Sequence, residues 1–412
     1  MVRRGVMLAT LGLALAAPAA AADDGFVERV RVLHSWHGEP NGYLGWAVSE
    51  LKDIDHDHAA DLIISEPGTA DGGRTWVYSG RTGKKIYRLP GQPGDFQGNA
   101  IADAGDTNND GVHDIISGAI GASGNGGPGR AYLYSGRSGR LLHTWEGTGA
   151  NDQLGAAVAT AGDVNHDGYD DVLVGANGVD GVGVDSGAAY VFSGRTYKLL
   201  RRYDGAHAGD NFGTGTDWVA PHKLVIGAAL ESGGGGVHVF RSGRELFSLA
   251  PPLGARVFGQ FFVAGVGRVD GDRIADVYAA DYAAQNFNGY AAVYSGRDGS
   301  VIHAWPGGTG DGTGPGREAG DVNFDGRMDL AVGSYRASGG AAGAGRVDVR
   351  SGRTGRVLRT ITSTTAGEQL GFDALGIPDV NGDHRPDLLL SAAEGDTLYL
   401  VAGEPPRGRR AG

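Results

Sequence analysis

The tripeptide Ser-Gly-Arg marks six successive units, at Ser79, Ser135, Ser193, Ser242, Ser295 and Ser351, at intervals of 49 to 58 residues. A steady period in the range of about 40–50 residues marks a propeller or a solenoid, because one unit cannot bury its apolar face alone. Each unit holds four short runs rich in Val, Ile, Leu and Tyr, the content of one four-stranded blade. A seventh, weaker copy ends at Ala402-Gly403. The 76 glycines supply the many turns such a unit needs.

The two ends of the chain choose between ring and solenoid. Middle units close with a fourth run, such as Leu141-Leu142-His143-Thr144-Trp145 or Val301-Ile302-His303-Ala304-Trp305. The last unit lacks it, and the missing run stands before the first unit as Val32-Leu33-His34-Ser35-Trp36. An open array gains nothing from that offset, whereas a ring closes by it. The expectation is an all-β fold: a seven-bladed β-propeller of four-stranded antiparallel blades, spanning 30–403 and closed by the N-terminal strand. The blades average roughly 55 residues, within the spread of propeller repeats.

Five units share the pattern Asp-x-(Asp/Asn)-x-Asp-x-x-x-Asp. They are Asp53, Asp55, Asp57, Asp61; Asp106, Asn108, Asp110, Asp114; Asp163, Asn165, Asp167, Asp171; Asp321, Asn323, Asp325, Asp329; and Asp379, Asn381, Asp383, Asp387. Oxygens at alternate positions of a tight loop can converge on one point, and hard oxygen donors in a flexible loop suit Ca²⁺. The five sets hold 16 Asp, whose mutual repulsion a divalent cation would relieve. An EF-hand would need Glu at position 12 and helical flanks. Position 12 here is Ile64, Ser117, Val174, Val332 or Leu390, and strand-like sequence follows position 9. Gly111, Gly168 and Gly326 fill position 6, where the chain turns sharply; His58 and His384 stand there in the first and last loops, so weaker sites or distorted turns are expected. About five calcium sites follow. The fourth unit has none, since Asp217-Trp218-Val219-Ala220-Pro221 leads straight to the next strand, and the fifth is doubtful, with Arg268 at position 1 ahead of Asp270, Asp272 and Asp276.

These residues resemble the FG-GAP repeats of the integrin α-subunit propeller. Phe212-Gly213, Phe258-Gly259, Leu154-Gly155 and Leu370-Gly371 look like the FG step. Gly118-Ala119-Ile120, Gly175-Ala176-Asn177 and Ser65-Glu66-Pro67 look like the GAP step, and the acidic loops match the calcium-binding hairpin between them. The sixth unit departs, with Gly314-Pro315-Gly316 in place of FG. The resemblance implies a seven-bladed propeller with calcium loops on one face.

With the strands of a blade lettered A to D, up-and-down order puts A–B and C–D turns on one face. The acidic loops and Ser-Gly-Arg turns therefore share it, and Arg81, Arg137, Arg195, Arg244, Arg297 and Arg353 ring it, balancing the Asp loops. The opposite face receives the long B–C loops, 118–129, 175–187 and 279–289. Binding residues favour loops held by a rigid scaffold. The fifth-blade loop, with Asp281, Tyr282, Gln285, Asn286, Phe287 and Asn288, joined by Tyr335 and Arg336, is the candidate ligand surface for a glycan or a protein.

No nucleophile elbow, His-Glu-x-x-His or phosphate loop is present. The recurring His34, His143 and His303, and Trp36, Trp145 and Trp305, read as blade packing. A binding or adhesion module is the first expectation; a lectin-like glycan binder and a propeller-fold polysaccharide lyase or hydrolase are the alternatives. With no Cys, disulfide frameworks, thiol nucleophiles and iron–sulfur sites are excluded, and a net charge of −12 argues against a general nucleic-acid binder. Arg3 and Arg4, the apolar stretch from Gly5 to Ala17 and Ala20-Ala21-Ala22 follow the plan of a secretory signal peptide over 1–22. The expectation is an exported, periplasmic or extracellular monomer with no transmembrane span after cleavage and a disordered basic tail over 404–412.

Overall fold

The computed structural model describes residues 25–121 and 127–403; the signal-peptide and tail expectations lie outside these. Seven four-stranded antiparallel sheets form a ring, a seven-bladed all-β propeller. Six blades are consecutive up-and-down units, as in Asp171–Ala176 pairing with both Leu154–Gly162 and Ala188–Phe192. The seventh takes its outer strand from the other end of the chain. Val32–His37 pairs antiparallel with Thr397–Val401, so the offset read in the sequence is the ring closure. Packing begins before residue 30: Phe26 bridges Ser363 and meets the Tyr399 ring edge-on at 5.1 Å.

Strand position sets burial. Strand B is buried along its whole length in every blade, as in Asp61–Glu66 and Asp329–Ser334. Strand D faces outward and buries little besides one large apolar residue near its end, Trp145 in Leu141–Glu146 and Leu89 in Lys85–Pro90. The apolar core lies between neighbouring blades: Ile63, Val77 and Leu89 of blade 1 pack with Ile101, Ile115 and Tyr132 of blade 2.

The FG and GAP steps are where blades touch through their backbones. Leu154, Phe212, Phe258 and Leu370 each bridge in parallel to a glycine of the preceding blade, Gly129, Gly187, Gly235 and Gly345. The glycine after the apolar residue then presses on the GAP glycine next door: a Cβ on Gly175 would lie 2.0 Å from the Gly213 carbonyl oxygen. No side chain fits there. In blade 6 Thr313 takes the bridging place, pairing with Gly289, so the departure from FG leaves the inter-blade bridge intact.

The strand-D aromatics complete the ring. Trp36, Trp145 and Trp305 donate their indole N–H to the carbonyls of Gly83, Tyr197 and Gly355 in the next blade's C–D turn, at 2.9–3.0 Å. His34 and His303 reach the carbonyls of Arg81 and Gly352, and His143 stacks on Tyr197 at 4.4 Å.

Candidate metal loops and ligand face

The acidic loops share one hydrogen-bond plan. The position-1 carboxylate accepts the N–H groups of positions 5 and 6: Asp106 from Asp110 and Gly111, Asp163 from Asp167 and Gly168, Asp321 from Asp325 and Gly326, at 2.8–3.0 Å. Asp53 and Asp379 do the same toward Asp57 and His58, and toward Asp383 and His384. Position 6 has left-handed φ throughout, 85° at Gly111 and 70° and 66° at His58 and His384. The two histidine loops are therefore undistorted; they carry the strain of a non-glycine residue in that conformation instead.

The position-9 aspartates, fully buried, tie three pieces of chain together. Asp171 accepts the N–H of Val164 at 3.0 Å and of Gly194, in the Ser-Gly-Arg turn, at 3.1 Å. Asp329 does so for Val322 and Gly352, and Asp387 for Val380 and Gly403. This is why the Asp loop and Ser-Gly-Arg recur together: one carboxylate ties the A–B loop to the C–D turn. Burial pushes these carboxyls up, Asp61 to about 7 and Asp114, Asp171, Asp329 and Asp387 to about 6. An anion held in such a place gains from a nearby cation.

The donor set fits a hard cation. Asn108, Asn323 and Asn381, all at position 3, bury an Oδ1 that accepts no hydrogen bond, and Asp61 Oδ1 is likewise unpartnered. In the first loop, carboxylate oxygens of Asp53, Asp55 and Asp61 lie within 4.8 Å of one another. Asp57 is drawn off toward the Ser79 hydroxyl at 2.9 Å and toward Arg81. Asn165 differs, its Oδ1 accepting the Asp167 N–H.

The arginine ring is partly engaged. Arg81, Arg137 and Arg297 pair with Asp57, Asp110 and Asp272, while Arg195 stacks over Tyr169. In blade 5 it is thus Arg297, 2.7 Å from Asp272, that supplies a cation to the loop; among the described residues Arg268 makes no ion pair. Blade 4 turns directly from Val219 to Lys223 with no acidic loop.

On the opposite face the expected ligand set divides. Asp281 is fully buried and accepts the N–H groups of Arg256, Val257 and Ala283, so it is a loop brace unavailable to a ligand. Asn288 likewise holds the Gly310 N–H. Gln285 is exposed and donates to the Leu253 carbonyl. Gln285, Asn286 and Phe287 have φ of 50°, 62° and 65°, three successive L-residues in the left-handed region. Such strain persists only where surrounding contacts hold it. Arg256 and Arg336 lie over the Phe287 ring at 5.9 and 5.1 Å.

Tyr282 and Tyr335 belong to a larger feature. Aromatic rings follow one another around the mouth of the central channel: Phe96 and Trp46 at 6.4 Å, Trp46 and Phe372 at 5.0 Å, Phe372 and Tyr335 at 5.8 Å, Tyr335 and Tyr282 at 6.3 Å, Tyr282 and Phe262 at 6.4 Å. All sit in D–A or B–C loops. Below them lies a cavity of about 1040 Å³ lined by strand-A residues, Glu50, Asp217, Arg317 and Glu318 among them. Sequence reading missed Trp46, Phe96, Phe262 and Phe372. Their shared signal is an aromatic residue just ahead of strand A in blades 1, 2, 5 and 7.

A closed seven-bladed ring with acidic hairpins on one face and an aromatic-rimmed mouth on the other defines a propeller of the integrin-α type. Comparison with known proteins agrees. An FG-GAP-like repeat matches residues 106–174 and an FG-GAP repeat matches 318–349, covering the acidic loops of blades 2, 3 and 6. Integrin alpha-PS5 of Drosophila melanogaster is 29% identical over 175 residues, 38% of this chain and 17% of that protein. Integrin alpha-V of Gallus gallus is 31% identical over 159 residues, 34% of this chain and 15% of that one. The Raptor structure from Chaetomium thermophilum covers 93% of this chain and 29% of its own at a TM-score of 0.57 and 12% identity, a likeness of fold alone. The chain is an FG-GAP repeat protein with an integrin-α-like propeller, and its matches span less than a fifth of these integrins' length.

Proposed function

We propose that this propeller is an exported, non-enzymatic binding or adhesion module, its acidic loops loaded with calcium and its ligand, a protein, docked on the opposite face. The observation that carries this reading is the aromatic girdle, with exposed Phe287 and Arg336 beside it, on loops held by a rigid ring. Aromatic residues and Arg dominate binding hot spots. Positions 1, 3, 5 and 9 of the five loops would hold the ion, whose part is to neutralise clustered carboxylates and fix the hairpins. Among the described residues no helix is long and apolar enough to cross a membrane, which fits a module released after export.

The amide and aromatic groups of the 279–289 loop also suit sugars, so a lectin-like role is the second reading. The test screens immobilised protein against extracellular proteins and a glycan array. Protein capture that falls at least tenfold, about 1.4 kcal/mol, in Phe287→Ala and Tyr335→Ala supports the proposal. Glycan capture alone would transfer the role to the second reading. Cleavage of a uronic-acid polymer with an unsaturated product, or a ligand footprint on the acidic-loop face, would overturn both.

A further inference from the structure

The ligand face is uneven around the ring. Among the described residues, every exposed large apolar side chain on a B–C or D–A loop falls between blades 3 and 5: Val182, Val184, Leu230, Leu253, Phe261 and Phe287. Leu253 is 91% exposed. Single exposed apolar residues need no account, but an arc of them on neighbouring loops marks a surface that a partner covers.

Backbone hydrogen bonds join these loops from blade to blade. The N–H of Gly209 donates to the Val184 carbonyl, Leu230 to Asp210, Phe258 to Gly234, Gln285 to Gly254 and Gly312 to Phe287, at 2.7–3.1 Å. The arc is therefore one preformed surface, and little ordering is left to oppose binding on it.

A second, independent observation concerns charge. Arg256 and Arg336 are exposed and stand at the blade-5 end of the arc, over the Phe287 ring. Asp281 holds Arg256 by its backbone N–H at 2.6 Å, and the Asp311 carbonyl holds the Arg336 N–H at 3.0 Å. Both backbones are pinned, yet among the described residues neither guanidinium forms an ion pair. Arg336 borders the Tyr335 hydroxyl, and Asp311 gives its carboxylate to Arg346 at 3.7 Å. In a chain of net charge −12, two neighbouring arginines without a carboxylate are a local excess of positive charge. At the blade-3 end the sign reverses, with exposed Asp180 and Asp185 beside the two valines.

These features select the partner. Val and Leu side chains offer nothing to sugar hydroxyls, and an anionic lipid surface would be repelled at Asp180 and Asp185. A polypeptide with apolar side chains along its length and carboxylates at one end matches both the arc and its charge. Guanidinium forks suit carboxylates, which they take two-pronged.

We propose that the arc from Val182 to Phe287 docks an apolar segment of a partner protein, whose Asp or Glu residues pair with Arg256 and Arg336. This assignment rests on the adhesion reading and names the chemistry of its ligand. The test pans a random-peptide phage library on calcium-saturated full-length protein and titrates the enriched peptides by fluorescence polarisation. Expected are peptides with Leu, Val, Ile or Phe beside Asp or Glu, bound less tightly as salt rises. Their affinity should fall about tenfold or more in the Arg256→Gln, Arg336→Gln double variant and about threefold or more in Leu253→Ser. Circular dichroism checks each fold, and Leu253→Ser, at a solvent-facing side chain, keeps the proposal testable should the arginine variant not fold. No enrichment, enrichment of basic or uncharged peptides, or acidic peptides indifferent to both variants would overturn the proposal. Capture of acidic glycans or anionic vesicles in place of peptides would do the same. An extracellular protein lost in Tyr335→Ala but bound in full by both variants would sink this assignment and leave the adhesion reading standing. Acidic peptides bound here while no extracellular protein is captured would sustain the assignment and sink the adhesion reading.

Discussion

Calcium removal is the sharpest test of the acidic loops. Sites with Kd of about 10⁻⁴–10⁻³ M, the range of extracellular calcium modules, would each add about 0.6–1.8 kcal/mol at about 2 mM Ca²⁺. Five such sites give about 3–9 kcal/mol. With an unfolding entropy of roughly 2.1 cal/mol/K per residue, that is a rise in Tm of about 4–11 °C over protein in chelator. Scanning calorimetry reads this directly. The structure adds a finer check. Asn108 and Asn323 each bury an Oδ1 with no partner while Nδ2 donates to the position-9 aspartate, at 3.0 and 3.3 Å, so Asn108→Ala should cost about 1–3 kcal/mol in chelator through the lost amide bond and, beyond that, remove about a fifth of the calcium-dependent rise. A shift under about 1 °C between calcium and chelator would refute the loading. An Asn108→Ala variant that melts earlier in chelator, yet keeps the full calcium shift, would make this amide a purely structural group.

Further outcomes follow from the ring itself. Gly175→Ala places a Cβ 2.0 Å from the Gly213 carbonyl oxygen; urea denaturation should show a loss of about 1–3 kcal/mol or more. Trp145→Phe gives up the indole bond to Tyr197 and should cost about 0.5–1.5 kcal/mol by the same measurement. Burial, with Asp217 adding to it, pushes Glu318 up from 4.5 to about 7, Arg317 opposing. Its folded value thus exceeds its unfolded one, and stability is lost as pH rises through 7; Glu318→Gln should gain about 1–3 kcal/mol at pH near 8, with the gain fading toward pH 5. A pH-independent effect would contradict that assignment.

What repeats was legible and what occurs once was not. The acidic loops, Ser-Gly-Arg turns and strand-D Trp each return at one register, so each copy vouches for the others, and the strand missing after Ala402-Gly403 told ring from solenoid. The partner of Ser-Gly-Arg was hidden, because nothing local says that Asp171 will accept the Gly194 N–H. Asp281 was misread for a similar reason: a loop carboxylate that braces three backbone N–H groups looks, in sequence, like one offered to solvent. The channel groups escaped altogether. Glu50, Asp217 and Glu318 sit on strand A of different blades, and only ring closure makes neighbours of residues so far apart in the chain.

The two faces also divide their labour in a way that can be measured. On the acidic face each position-9 carboxylate joins its own blade's A–B loop to the C–D turn, and the strand-D Trp residues join that turn to the preceding blade. With calcium in the loops as proposed, ion loss should therefore loosen the ring rather than any one ligand contact. The girdle side is held separately, by Asp281 gripping 256, 257 and 283 and by the inter-blade glycine bridges. Ligand affinity measured well below Tm should thus change less than about twofold, under about 0.5 kcal/mol, when calcium is withdrawn. Binding would vanish only along the unfolding transition. An affinity that fell with calcium while the fold stayed intact would mean that the loops reach the ligand face through the strands, and would place the ion in recognition instead of architecture.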